Sequence, residues 1–462
     1  MKLRFVLTLF AVAFFVCKGA HGQTSLSMPP DVSGEDLKAQ VERMERMLEE
    51  QQKQISELKH VLEEKTKEKE VKEAVKDEKI EEVVEKYLEK EETKEKFAEL
   101  GLSPNLKMGY KKGFYLETLD EKFKLRFQGG LQFRYEFLDR NEGEEDTSSF
   151  LIRRARMILE GNAFSPNIKY KLQAGFDKGT DFNLLDYYFN MTHIPPLNVQ
   201  FGQFKAPFNR QRITSSGNLQ LVDRSTANEV FNLDRQIGMM LHSMLFDKRF
   251  EYGFGVFNGS SVTGVDASSG RNLKENDNNR HLFVLRAAYN PFGEFGYSES
   301  DVEFSEKLKA TIAGAAGYSS DEITVSGSEE DVDTTRLVGE LGLKYRGFSF
   351  LTEGYYRHRD AGDLSGIVSR GNIADNGFFT QAGYFIIPKR LEIAGRHSFV
   401  DFDDDVPLGG VDELREYTGG INYFFEGHRS KLQANIVRVE EDLLTGEDEK
   451  DNKFQLQYQI YF

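Results

Sequence analysis

The sequence predicts an all-β transmembrane barrel of about 16 antiparallel strands, preceded by an N-terminal α-helical coiled coil. Three observations carry this. Residues 454–462 read F-Q-L-Q-Y-Q-I-Y-F, with Phe454, Leu456, Tyr458, Ile460 and Phe462 alternating with Gln455, Gln457 and Gln459; a period of two gives a strand with one apolar and one wet face. Upstream of it, segments of about ten residues repeat the same alternation, the length a tilted membrane strand needs. The connections between them are alternately short and long, as on the two rims of an outer-membrane barrel.

From the N-terminus, Lys2 and Arg4 precede an apolar core from Leu3 to Val16, and Ala20-His21-Gly22 supplies small residues for cleavage before Gln23. Residues 1–22 therefore read as a signal peptide. The single cysteine, Cys17, lies inside it; Val16 stands where a lipid-anchor signal needs a small residue. The remaining chain has no cysteine and needs no oxidative folding.

Residues 31–100 are dense in Glu and Lys. Leu37, Val41, Met44, Leu48, Gln51, Ile55, Leu58 and Leu62 follow heptad spacing, the seam of a coiled coil. After Leu62 the seam weakens, and a single solvated helix laced by Glu–Lys pairs describes the rest. Composition changes at Gly101-Leu102-Ser103-Pro104, which opens the barrel domain, 101–462.

Strands are expected at 122–138, 149–164, 167–178, 183–193, 197–203, 235–246, 249–258, 281–290, 305–319, 335–346, 348–359, 377–387, 390–401, 414–426, 429–441 and 452–462. Short turns join alternate pairs, with 291–304 longer than the rest; long polar loops fall at 139–148, 204–234, 259–280, 360–376 and 402–413. An even count puts both ends of the barrel on the short-turn, periplasmic rim, and with them the coiled coil. The low mean hydropathy of −0.53 does not oppose a barrel, because lipid meets only every second residue. With Phe 38, Tyr 19 and Trp 0, any interfacial girdle consists of Tyr and Phe.

Alternation also assigns faces. Phe123, Leu125, Phe127, Leu131, Phe133, Tyr135 and Phe137 face lipid, and Lys124, Arg126, Gln128, Gln132 and Arg134 the lumen. In the next strand Leu151, Ala155, Met157 and Leu159 point out and Arg154 and Arg156 in. Arg153 breaks the pattern and is placed near the rim, within reach of headgroups. Lys169, Lys171, Arg286, Lys309, Arg336, Lys344, Arg357 and Arg396 point inward. So do the acids Glu136, Glu160, Asp177, Asp186, Glu340, Glu353 and Glu392. Inward bases exceed inward acids by about two to one on this assignment, although the chain carries a net charge of −16. Acid is expected in the loops, at 142–146, 329–333, 401–405 and 447–451. A basic wall favours anions; the competing reading is that bases and acids pair across strands and leave the pore weakly selective. The longest loop, 204–234, is third on its rim and carries Lys205, Arg210, Arg212 and Arg224, with Arg235 just after it. Folded inward it lines the narrowest point; the alternative lays it on the outer rim.

At this point the residues resemble the phosphate-selective porins of the O and P type. The likeness rests on 150–161 (F-L-I-R-R-A-R-M-I-L-E-G), 185–188 (L-D-Y-Y), 202–208 (G-Q-F-K-A-P-F) and 235–238 (R-Q-I-G), in the family's order. The resemblance implies a trimeric sixteen-stranded porin for small anions such as phosphate or polyphosphate. Carried over by motif, it points to Arg153, Arg154, Arg156 and Lys205 as anion-binding residues. A dense arginine ladder like that of the specialised phosphate channels is not evident, so the implication is firmer for anions than for phosphate.

Other classes fit less well. The negative charge argues against nucleic acid. His397 and Ser398 are adjacent on a strand, face opposite sides and cannot form a catalytic pair, so no enzyme is expected. The eight His show no zinc spacing, and no phosphate-cradling glycine loop occurs; no cofactor or metal is expected. The acidic run at 401–405 reads as a solvated loop, with Ca²⁺ or a lipopolysaccharide bridge as its alternative. The expected partners are small anions, outer-membrane lipid and lipopolysaccharide, two further copies of the chain, and the cell wall through the coiled coil. A tether of the outer membrane to the cell wall, on a weakly selective pore, is the alternative function.

Overall fold

The computed structural model describes residues 106–140, 145–177, 181–259, 280–325, 328–360, 372–403, 410–444 and 447–462. The signal peptide and the coiled coil lie outside them. Two short strands come first, β1 (Leu106–Tyr110) and β2 (Phe114–Thr118). The barrel strands on the first side are β3 (Lys124–Asp139), β4 (Thr147–Asn162), β5 (Ile168–Asp177), β6 (Asp181–Met191), β7 (Asn198–Lys205), β8 (Arg235–Leu245), β9 (Phe250–Phe257) and β10 (Leu282–Tyr289). The second side comprises β11 (Lys309–Val325), β12 (Ser328–Tyr345), β13 (Phe348–Asp360), β14 (Asn372–Ile387), β15 (Leu391–Asp401), β16 (Val411–Glu426), β17 (Ser430–Leu443) and β18 (Glu449–Tyr461).

Each strand from β3 to β18 pairs antiparallel with the next, and β18 returns to β3. A closed barrel of sixteen strands results, which leaves no open edge of backbone donors and acceptors. The closing seam runs from Asn452 opposite Asp139 to Tyr461 opposite Gly130, and Gly129 and Phe462 exchange both backbone hydrogen bonds at 2.9 Å. Below that seam β2 takes over as partner of β3, with Phe114 opposite Phe127. The β1–β2 hairpin was not expected; its five-residue strands carry too little periodicity.

The outer face is apolar as alternation requires: Leu131, Phe133, Phe254, Leu337, Tyr384, Ile421 and Tyr458 are all exposed. One inference of facing is corrected. Gln132 stands opposite Arg154 and Phe133 opposite Ile152, so Arg153 is the extra residue of a β-bulge. Upstream of it the alternation slips by one. Leu151, expected toward lipid, stands opposite the buried Arg134, and Phe150 and Ile152 are the exposed residues. Two acidic stretches expected in loops are also partly strand: 329–333 lies in β12 and 449–451 in β18. Of the run at 401–405, Asp401 ends β15 and residues 404–405 lie outside the described residues.

Candidate functional site

The lumen is shaped by the loop between β7 and β8. It contains helix α1 (Arg210–Ile213), a 3₁₀ turn (Ser216–Asn218) and helix α2 (Thr226–Phe231). Ser225 caps α2, its hydroxyl accepting from the Asn228 amide at 3.0 Å. The loop folds into the barrel. Phe208, Ala227, Phe231 and Leu233 are buried in one apolar cluster with inward residues of the wall, among them Val284, Ala315, Val338, Leu351 and Phe379. A water-filled lumen would not present such residues; they are a seat for the loop, and burying them is the driving force for insertion. The wall also makes room. A Cβ on Gly383 would lie 2.0 Å from the Gln220 Nε2, and one on Gly377 2.5 Å from the Phe231 ring.

Polar groups fix the loop's position. Gln220 Nε2 donates to Glu392 at 2.6 Å and to Ser349 at 2.8 Å, and its carbonyl accepts from Asn422 at 2.8 Å and Gln433 at 3.0 Å. Gln459 of β18 donates to the Gly217 carbonyl at 2.9 Å. A second insert comes from the opposite rim: in the link between β10 and β11, Glu299 accepts from the Gln220 amide at 2.8 Å and from Gln211 at 3.2 Å. Together the inserts cover much of the inner wall of β11–β18.

This divides most of the inward cations into two sets, with Arg286 at the boundary of both. Under the loop the inward guanidinium groups meet carboxylates, while Lys431 donates to the Leu219 carbonyl at 2.6 Å. Arg286 binds Glu340 at 2.5 and 2.7 Å, and Arg210 shares that carboxylate at 3.3 Å while its guanidinium lies 4.7 Å from the Tyr297 ring centre. Arg357 binds Asp375 at 2.7 Å and Arg396 binds Glu416 at 2.6 Å. These contacts are buried and offset much of the guanidinium charge, so they fasten loop to wall. Arg126, on β3, pairs with Glu160 at 3.0 Å, and Arg336 donates to Ser319 at 3.0 Å. Neither lines the cavity described next.

That cavity, about 510 Å³, lies between the loop and strands β4–β10. Its lining holds nine cationic residues (Arg153, Arg154, Arg156, Lys171, Lys205, Arg212, Arg224, Arg235 and Arg286) against three carboxylates, Asp186, Glu229 and Glu251. Some of these bases are paired: Lys171 and Arg235 both hold Asp186, at 2.9 and 2.7 Å, and Arg212 holds Asp234 at 2.5 Å. Others are held by uncharged groups. Lys205 Nζ donates to the Ile213 and Thr214 carbonyls at 3.2 and 3.1 Å, and Arg224 to the Gln211 and Thr214 carbonyls at 2.9 and 2.7 Å. Among the described residues neither forms an ion pair. Arg154 donates to the Gln132 side chain at 2.9 Å and also faces the Asp223 carboxylate at 3.7 Å; Arg156 donates to the Ala155 carbonyl at 3.1 Å among its contacts. Carbonyl and amide oxygens orient a cation without cancelling its charge. The crowding shows in the loop, where burial and the neighbouring Arg212 pull the Arg224 guanidinium down to about 10, still cationic at neutral pH.

The bulge at Arg153 explains how three arginines of one strand reach one cavity: Arg153 and Arg154 both point inward because the extra residue breaks the alternation. The expectation that Arg153 lies near the rim is replaced by this geometry. Sequence reasoning did not single out Asp223, whose carboxylate meets Arg134 at 2.8 Å; nothing in the pattern of a loop marks one aspartate as set among arginines.

The family profile described as phosphate-selective porin O and P matches residues 123–462. The chain belongs to this porin family. An uncharacterised protein of Aquifex aeolicus is 23% identical over 380 residues, 74% of this chain and 87% of that one. Porin O of Pseudomonas aeruginosa is 28% identical over 200 residues, 40% of this chain and 42% of Porin O. Among solved structures, OprB of Pseudomonas putida superposes with a TM-score of 0.52 at 11% identity, covering 74% of this porin and 95% of OprB. The outer membrane channel DcaP of Acinetobacter baumannii gives 0.50 at 12%, covering 73% and 97%. At these identities the likeness concerns the fold alone. Family and barrel together indicate an outer-membrane channel.

Proposed function

We propose that this porin is a passive channel for small anions, phosphate among them. The observation that carries the reading is the way Arg224 is held: backbone carbonyls fix the guanidinium at the cavity wall and leave its charge uncancelled. An anion entering the cavity gains attraction from several such groups and a cation meets repulsion. Guanidinium groups also offer paired donors to the oxygens of an oxyanion. Passage needs several weak sites in succession rather than one tight one, and Arg153, Arg154, Arg156, Lys205 and Arg224 provide a series. Conductance is then confined to the β4–β10 side, with Arg210, Arg357 and Arg396 serving the loop. Reversal potentials in planar bilayers under a KCl gradient test this; a cation-selective channel overturns it.

We place the short-turn rim and the N-terminal segment in the periplasm and the long loops outside, and we propose a homotrimer, as the family likeness implies. The heptads between Leu37 and Leu62 support a second role, a coiled coil reaching toward the cell wall with the barrel as its anchor. Deleting 31–100 is then expected to leave conductance intact and weaken the envelope; an unchanged envelope refutes the tether.

A further inference from the structure

The arginine seat at the edge of the cavity already has an occupant. Asp223, on the inserted loop, receives Arg134 through both oxygens, NH1 to Oδ2 at 2.8 Å and NH2 to Oδ1 at 3.0 Å. Arg153 Nε lies 3.5 Å and Arg154 NH2 3.7 Å from the same Oδ1, and Gln455 donates to Oδ2 at 3.0 Å. Three guanidinium groups thus converge on one carboxylate. The contacts to Arg153 and Arg154 are longer than good hydrogen bonds, and these two are the arginines that line the cavity. The Asp223 side chain keeps 32% of its surface exposed, so the carboxylate is not sealed away from the water that carries a permeating ion.

We propose that Asp223 is the built-in counter-ion of this seat: its carboxylate occupies the guanidinium faces that a passing anion takes, so that each anion binds in competition with it and leaves readily. The assignment rests on the anion-channel reading and refines it in two respects. It names the ligand class, small oxyanions, whose paired oxygens can copy those of the carboxylate, whereas a halide offers one centre. It also identifies what keeps the affinity low enough for transport, since the three guanidinium groups offset only by Glu136 beside Arg134 would retain a multivalent oxyanion.

The test uses the full chain in planar bilayers, with chloride as the carried ion and inorganic phosphate as the blocker. Asp223→Asn is expected to lower the phosphate concentration for half-block about tenfold, the scale of losing one adjacent unit charge, and to lengthen individual blocks. Asp223→Glu keeps the charge and is expected to stay within about twofold of the parent. Because Asp223→Asn leaves Arg134 with Glu136 alone, at 3.1 Å, the same step is measured from Arg134→Gln to the double variant Arg134→Gln/Asp223→Asn, where one neutral pair replaces one ion pair. This second background decides the matter if the single variant does not fold. Half-block concentrations that stay level or rise on loss of Asp223 overturn the assignment. A parent channel that prefers cations overturns the anion reading itself; an anion-selective parent with an indifferent Asp223→Asn overturns only the role of Asp223.

Discussion

Replacing Arg224 by glutamine separates a cation held by carbonyls from one cancelled by a carboxylate. Arg224 donates to the Gln211 and Thr214 carbonyls, and a glutamine amide can keep one of those bonds, so the loop retains its path while the cavity loses one positive charge. At a separation of about 5 Å in a water-filled lumen, one unit charge contributes about 0.8 kcal/mol to the energy of a passing ion. Screening at about 0.1 M salt reduces this to about 0.5 kcal/mol. The change has opposite signs for anion and cation, so the permeability ratio is expected to fall about fivefold on these values. The matched control exchanges both members of a buried pair, Arg396→Gln with Glu416→Gln. These meet at 2.6 Å, and removing both leaves the net charge of the lumen unchanged, so the ratio is expected to stay within about twofold. Reversal potentials in a tenfold KCl gradient measure both. The reasoning is refuted if the control shifts selectivity as much as Arg224→Gln, or if Arg224→Gln shifts none.

Three further outcomes follow from the same geometry. Glu340→Gln strands Arg286 and Arg210, which are 1% and 3% exposed, at a cost of about 3–5 kcal/mol to loop docking; faster amide exchange across 206–234 and a larger conductance are expected, and unchanged exchange counts against it. Gly383→Leu places a side chain where Gln220 Nε2 lies 2.0 Å from the ideal Cβ; displacement of the loop is expected as new protease sensitivity within it, and an intact loop at parent conductance contradicts the packing described. Burial alone would raise the Asp223 carboxyl, but Arg134, Arg153 and Arg154 outweigh it and hold it well below the usual range. Its folded value being lowered, its stabilisation of the docked loop is complete above the unfolded value of about 3.9 and fades only as pH falls through the folded one. Docking monitored by amide exchange is therefore expected to persist from pH 7 to about pH 4 as far as Asp223 is concerned, and a loss near pH 5 in the parent that Asp223→Asn does not show would contradict this.

Strand positions were legible because lipid imposes a period of two over ten residues or more, and the expected segments differ from the observed ones mainly where hairpins extend beyond the membrane, as β11 and β12 do to Val325 and Ser328. Facing was legible on the same basis until Arg153, since one extra residue reverses the reading and no residue type announces a bulge. The insertion of the loop left a trace that period-two analysis passes over. Val284, Val338, Leu351 and Phe379 are apolar at inward positions, and inward apolar residues call for something dry to cover them. The neutral glutamines of β18 had a similar meaning: Gln455, Gln457 and Gln459 are buried partners of Asp223, Arg134 and Gly217. Which cations are cancelled was not legible, because pairing depends on partners such as Arg396 and Glu416 that lie on neighbouring strands and on a loop whose path sequence does not give.

The closing seam has a consequence for the order of assembly. Gln132 and Gln459 meet across 327 residues, and Gln459 and Gln433 hold the loop at Gly217 and Gln220, 242 and 213 residues away in the chain. Contacts of such separation form only after most of the chain's closure entropy has been spent. The loop therefore has no complete seat until the first and last barrel strands have joined. Selectivity is acquired at the end of folding, and a barrel whose seam has not yet closed lacks the narrow basic passage that distinguishes the finished protein.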